Sequence, residues 1–248
     1  MKKIFIILLA VLMLAAAITA CGDMPADTTP ADTTPSGTEK SGEFVVTGKK
    51  YVYKNKDVLL LKVDNQTEKN YDVTAVVHYF DAEGNEIKSQ KKIFAGWASG
   101  YQNYFLFQSN IKFETFTYDL ELKEVEAEEC YAKYITTEFC GLRESLVGIA
   151  ELIMKGDFTR YSTISSEIKV ENKATSTLAA FGYYAVIDKN GNMYSIEDFG
   201  DHYYLPHTES FEQQCVYQEK TTEKLVWPDE LTGDVTVIFT VTSAKLAQ

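Results

Sequence analysis

The sequence has few residues of the kinds that carry chemistry at neutral pH. It contains only three histidines, and it has no glycine-rich phosphate loop, nucleophile elbow or zinc-type pair of Cys and His. Basic residues are also in the minority, with 24 Lys and Arg against 36 Asp and Glu, so the formal net charge is -12. An acidic chain is repelled by phosphate backbones, which argues against nucleic acid as a partner. We therefore expect a protein that is not an enzyme.

A long apolar run at the N-terminus has the order of a secretory signal peptide. Lys2 and Lys3 precede the uncharged stretch 4–17, and small residues follow. Ile18-Thr19-Ala20-Cys21 then resembles the bacterial lipobox, in which a branched residue and two small ones precede a cysteine. The resemblance implies that the signal peptide, residues 1–20, is removed and that the Cys21 sulfur carries a diacylglycerol. A transmembrane anchor helix is the alternative.

The segment after Cys21 has the composition of a disordered tether. It holds three of the five prolines and two copies of Pro-Ala-Asp-Thr-Thr, and Met24 is its one apolar side chain of any size. Such a segment cannot bury enough surface to offset the entropy of ordering it. We predict a lipidated cysteine and tether over 21–43, which would place the rest of the chain on the extracytoplasmic face of the cell membrane.

Two stretches of the sequence repeat one pattern without a gap. VDNQTEKNYDVTAVVHYFDAEGNEI begins at Val63, and VENKATSTLAAFGYYAVIDKNGNMY begins 107 positions later at Val170. Each combines an alternating strand, a polar turn, a second alternating strand and an Asp-x-x-Gly-Asn hairpin turn. The inward positions of the second strand are Val73, Ala75, Val77 and Tyr79 in one copy, and Ala180, Gly182, Tyr184 and Val186 in the other.

Later strands follow the hairpin in both copies. The spacing there drifts by about three residues, as an inserted loop would cause, so that the face of Tyr101, Asn103, Phe105 and Phe107 matches that of Phe211, Gln213, Cys215 and Tyr217. Short alternating strands separated by turns are typical of antiparallel β-sandwiches. We predict a mainly β protein with one sandwich at 44–127 and another at 159–248, packed on one another.

A helical pattern falls between the two copies. The apolar positions step by 3, 4, 3 and 4, through Phe139, Leu142, Leu146, Ile149 and Ile153. Lys155 and Gly156 follow, as expected of a helix end. The pattern predicts a connector over 128–158 that contains an amphipathic helix at about 139–155.

The order of these motifs is similar to that of the small immunoglobulin-like repeats in lipoproteins of Gram-positive bacteria. Some of those repeats are called FxLYD, and the stretch Phe116-Thr117-Tyr118-Asp119-Leu120 resembles that label but lacks one of its residues. The resemblance implies an extracytoplasmic sandwich fold. It implies no catalytic residues and no cofactor.

Loop aromatics give the one indication of a ligand. Trp97 and Tyr101 follow the first hairpin, and Tyr203 and Tyr204 lie in the comparable loop of the second copy. Exposed aromatics on loops are common at binding surfaces, so a stacking platform for sugar rings is one hypothesis. Packing across a sandwich or at the domain junction is the favoured alternative. The expected partner is accordingly an extracellular protein or a glycan.

Two further groups of residues leave alternatives open. Asp201, His202 and His207 could hold a metal ion if their loop folded back, which would make the protein a metal-dependent enzyme, although a plain polar loop fits the spacing better. Cys130 and Cys140 could form a disulfide in an exported protein. Cys215 is expected to be a buried thiol on an inward strand face.

Overall fold

The computed structural model describes residues 38–41, 44–147, 160–221 and 225–247. The predicted signal peptide, the lipobox and most of the predicted tether lie outside these residues. Within them the chain forms strands β1 (Thr38–Ser41), β2 (Phe44–Tyr53), β3 (Lys56–Asn65), β4 (Asn70–Phe80), β5 (Glu86–Trp97), β6 (Gln102–Gln108), β7 (Thr115–Val125), β8 (Ile135–Val147), β9 (Arg160–Asn172), β10 (Leu178–Ile187), β11 (Met193–Tyr204), β12 (Thr208–Thr221) and β13 (Thr236–Leu246). Short 3-10 turns lie at Ala127–Glu129, Ala132–Tyr134 and Asp229–Leu231.

The strands form four antiparallel sheets, two for each copy of the repeat. The first copy has an inner sheet, β1-β2-β3-β6, and an outer sheet, β5-β4-β7. The second copy has an inner sheet, β11-β10-β13, and an outer sheet, β12-β9-β8. The prediction of a mainly β, antiparallel sandwich architecture is confirmed. β1 pairs with β2, so Thr38–Ser41 is a strand where the sequence predicts disordered tether.

Strands β2 to β7 of the first copy correspond in order and pairing to β8 to β13 of the second. The hairpin turns also match in detail. The Asn85 amide N–H donates to Asp81 Oδ1 at 2.7 Å, and the Asn192 N–H donates to Asp188 Oδ1 at 2.9 Å. The intervening Gly84 and Gly191 have φ angles of 82° and 81°, in the left-handed region that favours glycine. The predicted repeat is therefore a repeat of structure.

Apolar contacts place the four sheets in layers, in the order outer, inner, inner, outer. Within the first sandwich, Leu59, Leu61 and Val63 of β3 pack in one cluster with the inward residues of β4. The opposite face of β3 presents Val58 and Leu60 to Ala185 and Ile187 of β10. Because each inner sheet is covered on both faces, its central strand has a nearly continuous apolar sequence rather than an alternating one.

The two inner sheets are also joined by hydrogen bonds between their edge strands. The buried Asn103 side chain on β6 donates to the Val241 carbonyl oxygen at 2.6 Å, and Thr240 Oγ1 donates to Asn103 Oδ1 at 2.8 Å. Thr240 also lies 2.8 Å from the Tyr104 carbonyl oxygen. These buried polar contacts fix the register between the two sandwiches.

The predicted connector helix is wrong over 139–147, where the chain forms β8. Phe139, Leu142 and Leu146 pair with Ile168, Ser166 and Ser162, which are alternate residues of β9. A bulge between Phe139 and Gly141 adds one residue to β8. Side chains on the same face of the strand are therefore three residues apart there, at Phe139 and Leu142, instead of the usual two. A step of three followed by a step of four imitates helical periodicity. Residues 148–155 of the predicted helix, and the end of the predicted connector at 156–158, lie outside the described residues.

The predicted drift in the repeat is also wrong. Asn103 pairs with Val63 and Ser210 pairs with Val170, so the offset of 107 persists into β6 and β12. Glu212 and Gln214 therefore occupy the places of Phe105 and Phe107. Phe211 is 60% exposed, and Cys215 is exposed rather than buried. The added residues lie later, in the connection between β12 and β13.

None of the helical segments in the described ranges has the length and apolar character needed to span a membrane.

Candidate functional site

Three of the four loop aromatics that were considered for a sugar platform pack inside the protein. Trp97 is fully buried, contacts Phe94 and Phe105, and donates its indole N–H to the Tyr101 carbonyl oxygen at 2.8 Å. Tyr204 takes the equivalent place in the second copy and is also buried. Tyr101 packs against the core, and burial raises the pKa of its phenol. Tyr203 differs, being 66% exposed. A coplanar exposed platform is therefore not formed.

His207 has a conformational role in the loop that was considered for a metal ion. Its φ of 53° lies in the left-handed region, and its N–H donates to the Asn172 carbonyl oxygen at 2.9 Å. Gly100 occupies the same place in the first copy, with a φ of 67° and an equivalent bond of 2.8 Å to Asn65. Among the described side chains, which do not include that of Asp201, no three His, Cys, Asp or Glu groups lie close enough together to hold a metal ion.

The cysteines within the described ranges are free thiols. Cys130 is buried, while Cys140 and Cys215 are exposed. Burial raises the pKa of the Cys130 thiol. Although Cys215 is exposed, partial desolvation of its sulfur and then the Glu197 carboxylate raise the pKa of this thiol. Within the described residues the Cys130 and Cys215 sulfurs contact backbone carbonyl groups and no histidine. The disulfide between Cys130 and Cys140 that the sequence left open is not formed.

Four apolar positions of the first sandwich are occupied by titratable side chains in the second sandwich. Four positions of the first sandwich are occupied by Val77, Phe94, Trp97 and Phe105. Strand pairing places Tyr184, His202, Tyr204 and Glu212 at the equivalent positions of the second sandwich. We call the latter four residues the polar set. Sequence reasoning missed it because the supposed drift matched Phe105 to Cys215 instead of Glu212.

The polar set contains a contact between His202 and Glu212 and, beside it, two buried phenols. His202 Nδ1 lies 3.0 Å from Glu212 Oε1, a contact that is an ion pair only when the imidazole is protonated. Within the described part of the chain, neither the Tyr184 hydroxyl nor the Tyr204 hydroxyl has a partner at good hydrogen-bond geometry, although the Glu212 carboxylate lies near the Tyr204 hydroxyl. Burial, and then the nearby Glu212 carboxylate, raise the pKa of both phenols, so both stay protonated. The two phenols can donate hydrogen bonds to an acceptor, but neither is an activated nucleophile.

A second polar site lies between the two sandwiches. A cleft of about 450 Å³ opens where the inner sheets part, beside their apolar contact. Its lining includes Thr47, Lys49, Lys62 and Tyr104 from the first inner sheet, and Asp234 and Thr236 from the β12–β13 connection and the start of β13. We call this the junction cleft. No short sequence motif indicates it, because its residues are brought together by strand register and sheet packing.

A scan of protein-family models found none that matches the chain, and a search of curated proteins found no similar sequence.

Proposed function

We propose that this chain is a lipid-anchored protein of the extracytoplasmic face of the cell membrane, without catalytic activity, whose paired sandwiches provide an interaction surface. The observation that carries the proposal is the segment Ile18-Thr19-Ala20-Cys21, directly after a basic and then apolar N-terminus. Cleavage before Cys21 and transfer of a diacylglycerol to its sulfur would leave two acyl chains at the mature N-terminus. Two chains hold a protein stably at a bilayer, where one binds only marginally.

The architecture of the folded part supports an interaction role. Four sheets stacked through three apolar interfaces give a stiff body, with loops at the ends of the sandwiches and a cleft at their junction. Loops on a rigid β scaffold are a common place for recognition residues. The immunoglobulin-like repeats that the sequence resembles have the same kind of scaffold, which agrees with this proposal.

Carbohydrate binding through the loop aromatics is a weaker second candidate. It keeps only Tyr203 as an exposed aromatic, since Trp97, Tyr101 and Tyr204 pack inward. One exposed ring without a coplanar partner provides a limited stacking surface.

Membrane fractionation tests the anchor. The wild-type chain is expected in the membrane fraction, extracted by detergent but not by high salt. Cys21→Ser should be absent from the membrane-bound lipoprotein that detergent extracts. Cys140→Ser, which changes an exposed cysteine of β8, should be present there like wild type. Radioactive palmitate should label wild type and Cys140→Ser but not Cys21→Ser. Equal labelling of all three chains, or no labelling of wild type, would refute the anchor.

A further inference from the structure

The junction cleft lies at the charged end of a face that is otherwise apolar. Strand pairing places Thr47, Lys62 and Tyr104 in one row across the first inner sheet. The next row contains Leu60 and Leu106, which pack on the second inner sheet through Ala185 and Ile187. The inner sheets therefore touch at the apolar row and part at the row that holds Lys62.

Two lysines of the cleft have no carboxylate partner. Lys189 is paired with Asp229 at 2.9 Å, and the Asp188 carboxylate already accepts the amide N–H groups of Asn190 and Asn192. Lys49 and Lys62 form no ion pair with any carboxylate in the described part of the chain. The Lys62 side chain is partly buried at the cleft. An anion in the cleft would give its ammonium group a charged partner.

The rest of the lining suits a hydroxylated ring. Tyr51 and Tyr104 lie close enough for their phenols to interact, and burial and then Tyr104 raise the pKa of Tyr51. The hydroxyls of Thr47 and Thr236 and the exposed carboxylate of Asp234 add donors and acceptors around this aromatic pair. The cleft volume falls within the range of about 300–1,000 Å³ that is typical of small-molecule sites.

We infer that the junction cleft binds an anionic sugar, with Lys49 and Lys62 on its carboxylate or phosphate group and with Tyr104, Thr236 and Asp234 on its ring and hydroxyls. This site is separate from Tyr203 and from the polar set. The inference does not depend on the lipid anchor, because the cleft belongs to the compact unit Pro35–Gln248. Failure of one proposal therefore leaves the other testable.

Titration of the chain comprising residues 22–248 tests the inference. The probes are two anionic sugars, glucuronate and glucose 6-phosphate. Glucose and inorganic phosphate are the controls, because each carries only one of the two groups that glucose 6-phosphate combines. Calorimetry should show saturable binding of at least one anionic sugar at millimolar concentration, and glucose and inorganic phosphate should each bind about tenfold more weakly or worse. In nuclear magnetic resonance spectra, the amide signals of Lys62 and Tyr104 should shift on binding.

Lysine variants then test which ammonium groups bind the anion. Lys62→Met keeps the length of the side chain and should lower the affinity about tenfold, the effect of one charge-assisted hydrogen bond. Lys49→Gln changes an exposed residue, so it reports on the cleft even if Lys62→Met folds poorly. Lys245→Met removes the same charge at the other end of β13 and should leave binding unchanged.

Three outcomes would overturn the inference. The first is that neither anionic sugar binds. The second is that inorganic phosphate binds as tightly as glucose 6-phosphate, which would show an anion site without sugar recognition. The third is that Lys49→Gln and Lys62→Met bind like Lys245→Met.

Discussion

Asn65 and Asn172 lie 107 positions apart and make closely similar hydrogen bonds. Each is fully buried at the end of the first strand of its repeated stretch. The Asn65 amide donates to the carbonyl oxygens of Lys69 and Ala98 at 2.8 and 2.9 Å, and the Asn172 amide donates to those of Ser176 and Tyr204 at 2.9 and 2.8 Å. Each side chain therefore links the turn that follows its own strand to the end of a later hairpin strand or the loop after it, by hydrogen bonds.

Loss of this tie should destabilise either sandwich. We expect Asn172→Ala to lower the free energy of unfolding by about 2–3 kcal/mol, because it leaves buried carbonyl oxygens without a donor. Urea denaturation of residues 22–248 measures the change. Asn190→Ala is the matched control, because Asn190 is exposed and its side chain makes no hydrogen bond within the described part of the chain. Its effect should stay within about 0.5 kcal/mol. Equal effects of the two changes would contradict the role given to Asn172.

Gly182 should tolerate no side chain. A Cβ at this position would lie 1.9 Å from the Thr240 carbonyl oxygen and 2.5 Å from the Phe199 ring, so the paired backbone itself would have to move. We expect Gly182→Ala to lower the free energy of unfolding by about 3 kcal/mol. Gly200→Ala adds the same methyl group on β11, where nothing lies within 4 Å, and should be close to neutral. A neutral Gly182→Ala would show that the close approach of β10 and β13 is wrong.

The three cysteines of residues 22–248 should differ in reactivity. Two thiols should react with Ellman's reagent in the native protein, and Cys130 only after unfolding. Cys215 should react slowly although it is exposed, because its raised pKa leaves little thiolate at neutral pH. Peptide mass spectrometry after alkylation identifies the order. Native labelling of Cys130, or fewer than three free thiols after unfolding without reductant, would contradict the structure.

The polar set should lower the free energy of unfolding relative to apolar side chains at the same positions. We expect the double change His202→Phe and Glu212→Phe, which copies Phe94 and Phe105 of the first sandwich, to raise the free energy of unfolding by about 1 kcal/mol or more. Glu212→Ala should lower it instead, because that change leaves a void beside two buried phenols. Chemical denaturation compares the two. A double variant less stable than Glu212→Ala would show that the two sandwiches do not share equivalent core positions.

Sequence patterns predicted the strands that have one covered face. β4 alternates strictly between buried and half-buried residues, and its four inward positions were identified correctly. The Asp-x-x-Gly-Asn turns were also predicted, because their hydrogen bonds join residues within five positions of one another. Local chemistry was sufficient for these elements.

Elements that depend on distant contacts were not predictable in the same way. The bulge in β8 gives Phe139 and Leu142 a helical spacing, and only the pairing with β9 distinguishes the two structures. The opening of the junction cleft depends on how whole sheets pack, which no short stretch of sequence records. Glu212 was missed because a register error of three residues placed it outside the core.

The mass of the mature N-terminal peptide tests the central claim most directly. Protein extracted from membranes by detergent and digested should give an N-terminal peptide that begins at Cys21 and carries a diacylglycerol on its sulfur. A peptide that begins at Met1, or one that begins at Cys21 with a free thiol, would contradict the proposal that this pair of sandwiches is held at the membrane by lipid.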